Sequence, residues 1–260
     1  MRPCSRLLSA LALIMLGCVA ACGGTPKATP TQSASPTLAD DPALDARVDL
    51  AGKAAAAQDK AYAALYSLDD DSGGRQHNVV ATIAADGTWR VDVSKAMLGG
   101  TTDVSIVSTA AGVYQCTVSS PSNPITPGCV KVAAAGKRVP KDNSPQVERL
   151  FRQWLPVFRD RQSPLSVTEV KPLAGAQGTC YSVDSIAASI QAPVDIGIYC
   201  YATDGVLTAA RVGFGVLKLV SQVVGPATVQ LPGPETTGPA MGLDNLPPTV
   251  GPPAGPLPSA

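Results

Sequence analysis

The sequence predicts an α+β protein built on a single curled antiparallel β-sheet, a half-barrel of about ten strands covered by an N-terminal helix and a kinked internal helix. Two tight-turn signals, Asp86-Gly87 and Asp204-Gly205, each lie between segments of alternating apolar and polar residues. Two other segments begin with a polar residue followed by proline, as helices often do. Only 15% of the residues are charged, and the chain is rich in Ala, Val, Thr and Ser, which suits half-buried strands.

The first residues have the organisation of an export signal. Arg2 and Arg6 precede an apolar run over residues 7–21, which is too short to span a bilayer with margin, and small residues lead to Cys22. This pattern resembles a bacterial lipoprotein signal peptide with its lipobox. The resemblance implies that residues 1–21 are removed, that Cys22 receives a diacylglycerol anchor, and that the protein works on the extracytoplasmic face of the cell membrane. An ordinary secretory signal cut elsewhere is the alternative.

The cysteine count agrees with export. The chain has seven cysteines, and removal of residues 1–21 together with acylation of Cys22 leaves four. An even set in an oxidising compartment favours disulfides, and three pairings are open. The midpoints between 116 and 129 and between 180 and 200 fall at or beside proline-containing turn signals, as cross-strand bridges in hairpins require. We therefore predict the pairs Cys116–Cys129 and Cys180–Cys200. A zinc site is the weaker alternative, because the chain has no CxxC spacing and a single histidine, His77.

Composition divides the rest of the chain into three parts. Residues 22–41, which follow the cleavage site, are rich in Pro, Thr, Ser and Ala and predict a flexible tether. Residues 42–231 form one globular domain of ordinary size. Residues 232–260 contain nine prolines and five glycines in 29 positions, which predicts a disordered tail.

Two helices are expected in the globular domain. Asp41-Pro42 starts an alanine-rich helix that we extend to about Leu68. Ser144-Pro145 starts a second helix whose apolar residues recur at helical spacing from Val147 to Phe158. Pro156 lies inside this helix and predicts a kink or a break there.

The strands are expected on both sides of the internal helix. Trp89 and Val91 alternate with Arg90 and Asp92, so one face of that strand is predicted to be dry and the other wet. A further strand over 227–231 is an option. The ten predicted strands are 77–84, 88–93, 102–108, 112–119, 129–133, 165–171, 178–184, 196–202, 206–214 and 216–223.

The motifs of common enzymes are missing from the sequence. It has no G-x-S-x-G elbow, P-loop or dinucleotide fingerprint, and we interpret His77 as an exposed strand-edge residue rather than a catalytic one. Asp69-Asp70-Asp71 lacks the spacing of a calcium loop and reads as a solvated helix exit. The mature chain has 18 basic and 20 acidic residues, a net charge near −2, which argues against nucleic acid as a partner. We expect no enzyme activity, no metal and no cofactor.

A curled sheet covered by helices leaves an apolar space that suits a hydrophobic ligand. The order of signal, tether, long helix, strands, internal helix and further strands resembles the actinobacterial lipoproteins of the LppX/LprG type, relatives of the lipoprotein carrier LolA. The local matches are Asp86-Gly87-Thr88-Trp89 and Asp204-Gly205-Val206-Leu207; the four cysteines and the proline-rich tail depart from that family. The resemblance implies that the protein binds or carries a lipid between sheet and helices.

The candidate ligand-binding residues are the apolar side chains expected on the inner surface, although ordinary core packing would explain them equally well. They are Trp89, Val91, Phe151, Trp154, Leu155, Phe158, Val212 and Phe214. Three arginines beside the helical stripe, Arg149, Arg152 and Arg159, are candidates to meet anionic headgroups. The alternative function is an envelope scaffold or sensor with a filled core that binds a protein or cell-wall partner.

Overall fold

A computed structural model describes residues 42–71, 74–121, 123–186 and 192–244. Its strands form one antiparallel sheet, and two α-helices accompany them. The sheet does not close into a barrel, and the predicted fold class is confirmed. The helices are α1 (Pro42–Asp59) and α2 (Leu155–Arg159). The strands are β1 (Tyr62–Asp69), β2 (Gln76–Ile83), β3 (Trp89–Met97), β4 (Thr102–Thr109), β5 (Gly112–Thr117), β6 (Cys129–Ala133), β7 (Leu165–Val170), β8 (Thr179–Ser185), β9 (Gly197–Tyr201), β10 (Leu207–Val212) and β11 (Gly215–Val224).

The first helix is shorter than predicted. It ends at Asp59, and the residues assigned to its second half form β1, the central strand of the sheet. Buried and half-buried residues alternate along β1, which pairs with β2 on one side and β11 on the other. Hydrogen bonding along both edges outweighs the helix propensity of its alanines and leucines, because propensity is a weak preference. This strand explains why the sheet has eleven strands rather than about ten.

The topology requires the chain to cross the sheet. Strands β1–β6 form one meander and β7–β11 a second, and they join where β1 pairs with β11. The connection between β6 and β7 therefore runs from one edge of the sheet to the other. The ten spacings between neighbouring strands, each about 4.8 Å, place these edges roughly 50 Å apart along the sheet. Residues 134–164 make this crossing and cover the face of the sheet beneath them.

The internal helix is broken more extensively than predicted. Residues 141–159, which we call the internal segment, contain 3₁₀ turns at Lys141–Asn143 and Val147–Leu150, followed by the single-turn α2. Gln146 has a φ of 69°, so no regular helix runs on from Ser144. Pro156 lies in the first turn of α2, where its missing N–H costs nothing. The break therefore lies before Pro156 rather than at it.

The chain after β11 is not a strand. Ala85 N–H donates to Pro226 O (3.0 Å) and Val229 N–H donates to Thr88 Oγ1 (2.8 Å), so residues 226–231 pack on the β2–β3 turn as a loop. The optional strand over 227–231 does not form.

Residues 232–244, the C-terminal arm, also differ from the expected disordered tail. Cys129 N–H donates to Pro234 O (2.9 Å), and Thr236 N–H donates to Cys129 O (2.7 Å), so the arm pairs with the edge strand β6. Farther along, Gly99 N–H donates to Leu243 O (2.8 Å). Proline carbonyls accept hydrogen bonds as other carbonyls do, and a proline-rich segment can therefore still dock. Residues 1–41, which include Cys22, and residues 245–260 lie outside the described residues.

Both predicted disulfides are present. Cys116 pairs with Cys129 across β5 and β6, and Cys180 pairs with Cys200 across β8 and β9; in each case the two residues are direct register partners. Both bridges lie on the outer face of the sheet, opposite the face that α1 and the internal segment cover. The midpoint argument from the sequence is therefore confirmed. Within the described ranges, no helix combines the length and apolarity needed to cross a membrane.

Candidate ligand-binding site

The eight predicted ligand-binding residues meet on the covered face of the sheet. Trp89, Val91 and Val212 come from the strands, while Phe151, Trp154, Leu155 and Phe158 come from the internal segment; these seven are buried in one hydrophobic cluster. Phe214 is half-buried and packs against the same cluster. On β3 the polar residues Arg90 and Asp92 alternate with Trp89 and Val91 and form an ion pair of 2.7 Å with each other. The two polar side chains therefore share one face of the strand, as predicted.

Aromatic contacts join the internal segment to the sheet. The ring centroids of Phe151 and Tyr66 lie 5.1 Å apart. Tyr199 contacts Trp154 at 5.9 Å and Phe158 at 5.1 Å, both edge to face. Such pairs contribute about 0.5–1.5 kcal/mol each beyond the area they bury. The internal segment is therefore attached to the sheet mainly through its aromatic side chains.

Five tyrosines on this face were missed by the sequence analysis. Burial raises the pKa of Tyr62 to about 12 and raises the pKa values of the others well above the usual range, so all five are neutral at physiological pH. The alternation of Tyr62, Ala64, Tyr66 and Leu68 was a readable period-two signal, obscured by the assignment of these residues to a helix. The five are Tyr62, Tyr66, Tyr181, Tyr199 and Tyr201.

The hydroxyls of these tyrosines differ in their partners. Tyr181 Oη donates to the Asp49 carboxylate on α1, and Tyr199 Oη donates to Asp195 O (2.5 Å). Tyr201 Oη has no hydrogen-bond partner within the described part of the chain, although its residue is only 1% exposed. A buried donor without a partner is costly, and this phenol is available to an oxygen atom of a ligand.

Four surface clefts in the described part of the chain do not coincide with the apolar cluster. Four clefts with volumes between about 230 and about 410 Å³ open at the surface, and each is lined by at most one of the eight predicted residues. The side chains of the covered face therefore pack against one another in this conformation. A ligand on this face must displace part of the internal segment.

Polar links hold the internal segment to its neighbours. Arg152 Nη1 donates to Gln58 O of α1 (2.7 Å), and Arg159 donates to Gln58 Oε1. At the other end, Asn143 Nδ2 donates to Met241 O of the C-terminal arm (2.9 Å). Arg152 and Arg159 therefore serve to attach the segment to α1, and of the three predicted headgroup arginines only Arg149 has no such link among the described residues.

The C-terminal arm is held by one buried amide. Gln115 on β5 is 2% exposed, and its Nε2 donates to Met241 O and to Asn143 O, both at 2.9 Å. Met241 N–H donates back to Gln115 Oε1 (2.6 Å). This side chain therefore connects sheet, internal segment and arm at one point.

The structure corrects two interpretations of polar residues. His77 is 7% exposed rather than an open strand-edge residue, and its Nδ1 lies 2.7 Å from Ser94 O, which requires the Nδ1–H form. Asp69 ends a strand rather than a helix, and its carboxylate pairs with Lys218 Nζ at 3.5 Å. Among the residues that the structure describes, no group of three or more His, Cys, Asp or Glu side chains is placed to hold a metal ion.

Similarity to known proteins is limited to solved structures. No protein-family model matches the chain, and no curated protein matches it in sequence. Among solved structures the chain is similar to the crystal structure of MucB, with 11% identity and a TM-score of 0.43. The match covers 77% of this chain and 66% of the MucB chain. A similarity of this size does not identify a shared function.

Proposed function

We propose that the protein is a lipid-anchored protein of the extracytoplasmic membrane face that binds a lipid or another hydrophobic molecule and catalyses no reaction. The anchor is Cys22, and the pattern that leads to this residue supports the assignment. The tether of about 20 residues keeps the domain within several nanometres of the membrane surface. A protein held there has direct access to lipid.

One observation supports the ligand site above all others. A wide aromatic face of the sheet is covered by a single regular helix and by a segment whose helical turns are short and interrupted. Short turns without continuous hydrogen bonding open at lower free-energy cost than a long packed helix. The internal segment is therefore the part of the cover that yields to a ligand.

When the internal segment opens, contacts with the ligand replace the contacts that the segment loses with the sheet. An acyl chain that enters beneath the internal segment replaces the contacts of Phe151, Trp154 and Phe158 with the sheet, so the apolar surface stays out of water. The phenol of Tyr201 donates a hydrogen bond to an ester or carboxylate oxygen. The ligand thereby satisfies a polar atom that has no partner in the closed form.

Tryptophan quenching tests this site directly. The chain has two tryptophans, Trp89 on the sheet and Trp154 on the internal segment, and both are buried. Fatty acids with brominated acyl chains quench an indole only at short range. The test uses mature chain 22–260 carrying Cys22→Ser and Trp89→Phe, in which Trp154 is the remaining tryptophan. We expect brominated fatty acids to quench its fluorescence in a saturable manner.

Control measurements distinguish lipid binding from a general loosening of the fold around Trp154. Acrylamide, a small aqueous quencher, must have little effect on the same variant before lipid is added. Absence of quenching by any brominated chain, together with a bare protein mass in native mass spectrometry after incubation with lipid, would refute lipid binding.

The anchor requires its own experiment on the full precursor. Labelled palmitate should enter the wild-type protein and the Cys18→Ser variant but not Cys22→Ser, and only Cys22→Ser should leave the detergent phase. Equal labelling of Cys22→Ser and wild type would remove the anchor and leave a secreted protein.

A second candidate is an envelope scaffold with a filled core. It is favoured by the close packing of the predicted ligand residues, seven of which are buried against one another. On this alternative the quenching experiment gives no signal and the protein retains its native stability with any lipid.

A further inference from the structure

A basic cleft lies beside the internal segment. It has a volume of about 230 Å³ and lies between the internal segment and residues 192–195. Three cations, Arg138, Lys141 and Arg149, line it together with Trp154. Its other lining residues are Ala192, Pro193, Val194 and Asp195.

The three cations have little compensating charge. None of them forms an ion pair with an acidic side chain of the described residues. Among the described residues Asp195 is the only acid that lines the cleft, and the adjoining undescribed residues 187–191 contain no Asp or Glu. Three positive charges and one negative charge leave the cleft with a net charge of about +2 at neutral pH. Such a site favours an anion.

The acid in the cleft forms no ion pair with the three cations. Asp195 Oδ2 is buried and has no hydrogen-bond partner in the described part of the chain. Burial raises the pKa of Asp195, while Arg149 and Lys141 oppose that rise. Nearby Glu148 is fully buried and is hydrogen-bonded to Ser144 Oγ, so it does not line the cleft.

The position of the cleft connects it to the covered face. Trp154 forms one wall of the cleft and packs edge to face on Tyr199, beneath the internal segment. A cleft at the N-terminal end of α1 is lined by the acids Asp45, Asp49 and Glu169 and would repel an anion, whereas a neighbouring cleft lined by Lys137, Arg138 and Arg152 is also basic. The charge distribution therefore favours an anion beside the internal segment rather than at the N-terminal end of α1.

We propose that the basic cleft binds the phosphate headgroup of an amphiphile whose acyl chain occupies the covered face. This inference rests on the proposed function and specifies the ligand class. Two guanidinium groups and one ammonium group match a phosphate, because arginine can donate two parallel hydrogen bonds to it. The small volume of the cleft suits a phosphate monoester rather than a large polar headgroup.

The test compares probes that share an acyl chain. Mature chain 22–260 carrying Cys22→Ser is titrated with dodecyl phosphate, dodecanol and inorganic phosphate at low ionic strength, by calorimetry and by Trp154 fluorescence. We expect dodecyl phosphate to bind at least about tenfold more tightly than dodecanol, and added salt to reduce this preference. Lys141→Gln combined with Arg149→Gln should remove the preference and leave dodecanol binding within about twofold of its original affinity.

A matched control changes two cations elsewhere. Arg161→Gln with Lys171→Gln alters the net charge equally at exposed positions outside the cleft, and the tenfold preference should survive. Far-ultraviolet circular dichroism of both double variants verifies that each one is folded.

The outcomes separate the two proposals. If dodecanol and dodecyl phosphate bind equally, or if the cleft variant keeps the preference, the phosphate site is wrong and lipid binding stands. If inorganic phosphate binds and the cleft variant abolishes it while neither amphiphile binds, the cleft is a site for free phosphate and the lipid function is wrong. If no probe binds, both proposals are wrong.

Discussion

Helix α1 and the internal segment cover the same sheet face. The regularity of their helical structure is the opposite of what the spacing of their apolar residues predicts. Helix α1 has small buried residues, among them Ala46, Ala54 and Ala57, yet it forms an unbroken helix of 18 residues. The internal segment has the most regular apolar spacing in the chain, yet it breaks into three short helical turns. Helical spacing of apolar residues therefore does not guarantee a helix where bulky side chains must each find a separate place in the core.

Close approach explains the regularity of α1. Gly205, in the β9–β10 turn with a φ of +84°, lies so close to the backbone of Ala57 that a Cβ at this position would clash. Small residues on both sides allow the helix to lie directly on this turn. The internal segment instead contacts the sheet through the large rings of Phe151, Trp154 and Phe158, and its helical turns are short.

The largest effects should come from equal truncations in the two elements. Leu50 of α1 and Leu155 of α2 are 0% and 1% exposed, and replacement of either by alanine should lower the free energy of unfolding by about 2–5 kcal/mol. Only Leu155→Ala should also change the affinity for a brominated fatty acid, because only the internal segment moves on binding. Urea unfolding and Trp154 quenching measure the two quantities, and equal changes of affinity in both variants would contradict this distinction.

Removal of the C-terminal arm should loosen the internal segment and leave α1 unaffected. A stop after Leu231 removes the hydrogen bonds of Met241 with Gln115 and Asn143, and it should lower the free energy of unfolding by about 2–3 kcal/mol. Hydrogen exchange should rise in residues 141–159 more than in α1. A stop after Asp244 is the control and should change neither; equal exchange in both truncated proteins would show that the arm supports nothing.

Two of the arginines that link α1 to the chain crossing the sheet, Arg47 and Arg152, should differ in effect. Arg47 of α1 donates to the carbonyls of Asp160 (2.8 Å) and Ser163 (2.9 Å), whereas Arg152 donates to Gln58 O alone. Arg47→Gln should therefore cost about 1–3 kcal/mol of unfolding free energy, and Arg152→Gln about 1 kcal/mol. Stopped-flow measurement of lipid-probe association should show faster entry in Arg152→Gln only. A slower or unchanged rate would place the entrance elsewhere.

The smallest effect concerns a buried acid found in the internal segment but not in α1. Burial raises the pKa of Glu148 above its ordinary value of 4.5, against a hydrogen bond from Ser144 and the charge of Arg149; Asp195 adds to the rise. The folded protein therefore binds this proton more tightly than the unfolded chain does, so this group destabilises the fold increasingly as pH rises above 4.5.

Glu148→Gln tests this sign. The variant should gain stability relative to wild type between pH 4 and pH 7, while the difference is smallest at pH 4. Thermal unfolding across this range measures it, with Asp45→Asn, an exposed carboxylate-to-amide change on α1, as the control. A difference that shrinks with rising pH would show that the carboxylate is stabilised by its neighbours instead.

Much of the architecture could be predicted from the sequence, because it depends on interactions between residues that are close together along the chain. The Asp-Gly turns, the alternation on β3 and the hairpin midpoints that pair the cysteines depend on residues near one another in sequence, and all three predictions are confirmed. The candidate ligand residues were also identified as one apolar group, since burial follows hydrophobicity. The assignment of residues 62–68 to a helix was wrong, because one of the two partner strands that select the extended form, β11, lies about 150 residues away; the other, β2, is nearby.

By itself the sequence determined the antiparallel sheet, its covering helical elements and both disulfides, because alternation and turn chemistry act between neighbours along the chain. Only the tertiary structure decided the central strand, the break in the internal segment, the docking of the arm on Gln115, and the meeting of Arg138, Lys141 and Arg149 with Trp154. These features arise from contacts between residues distant in sequence. No pattern along the sequence shows which distant residues will meet or how much room remains between their side chains.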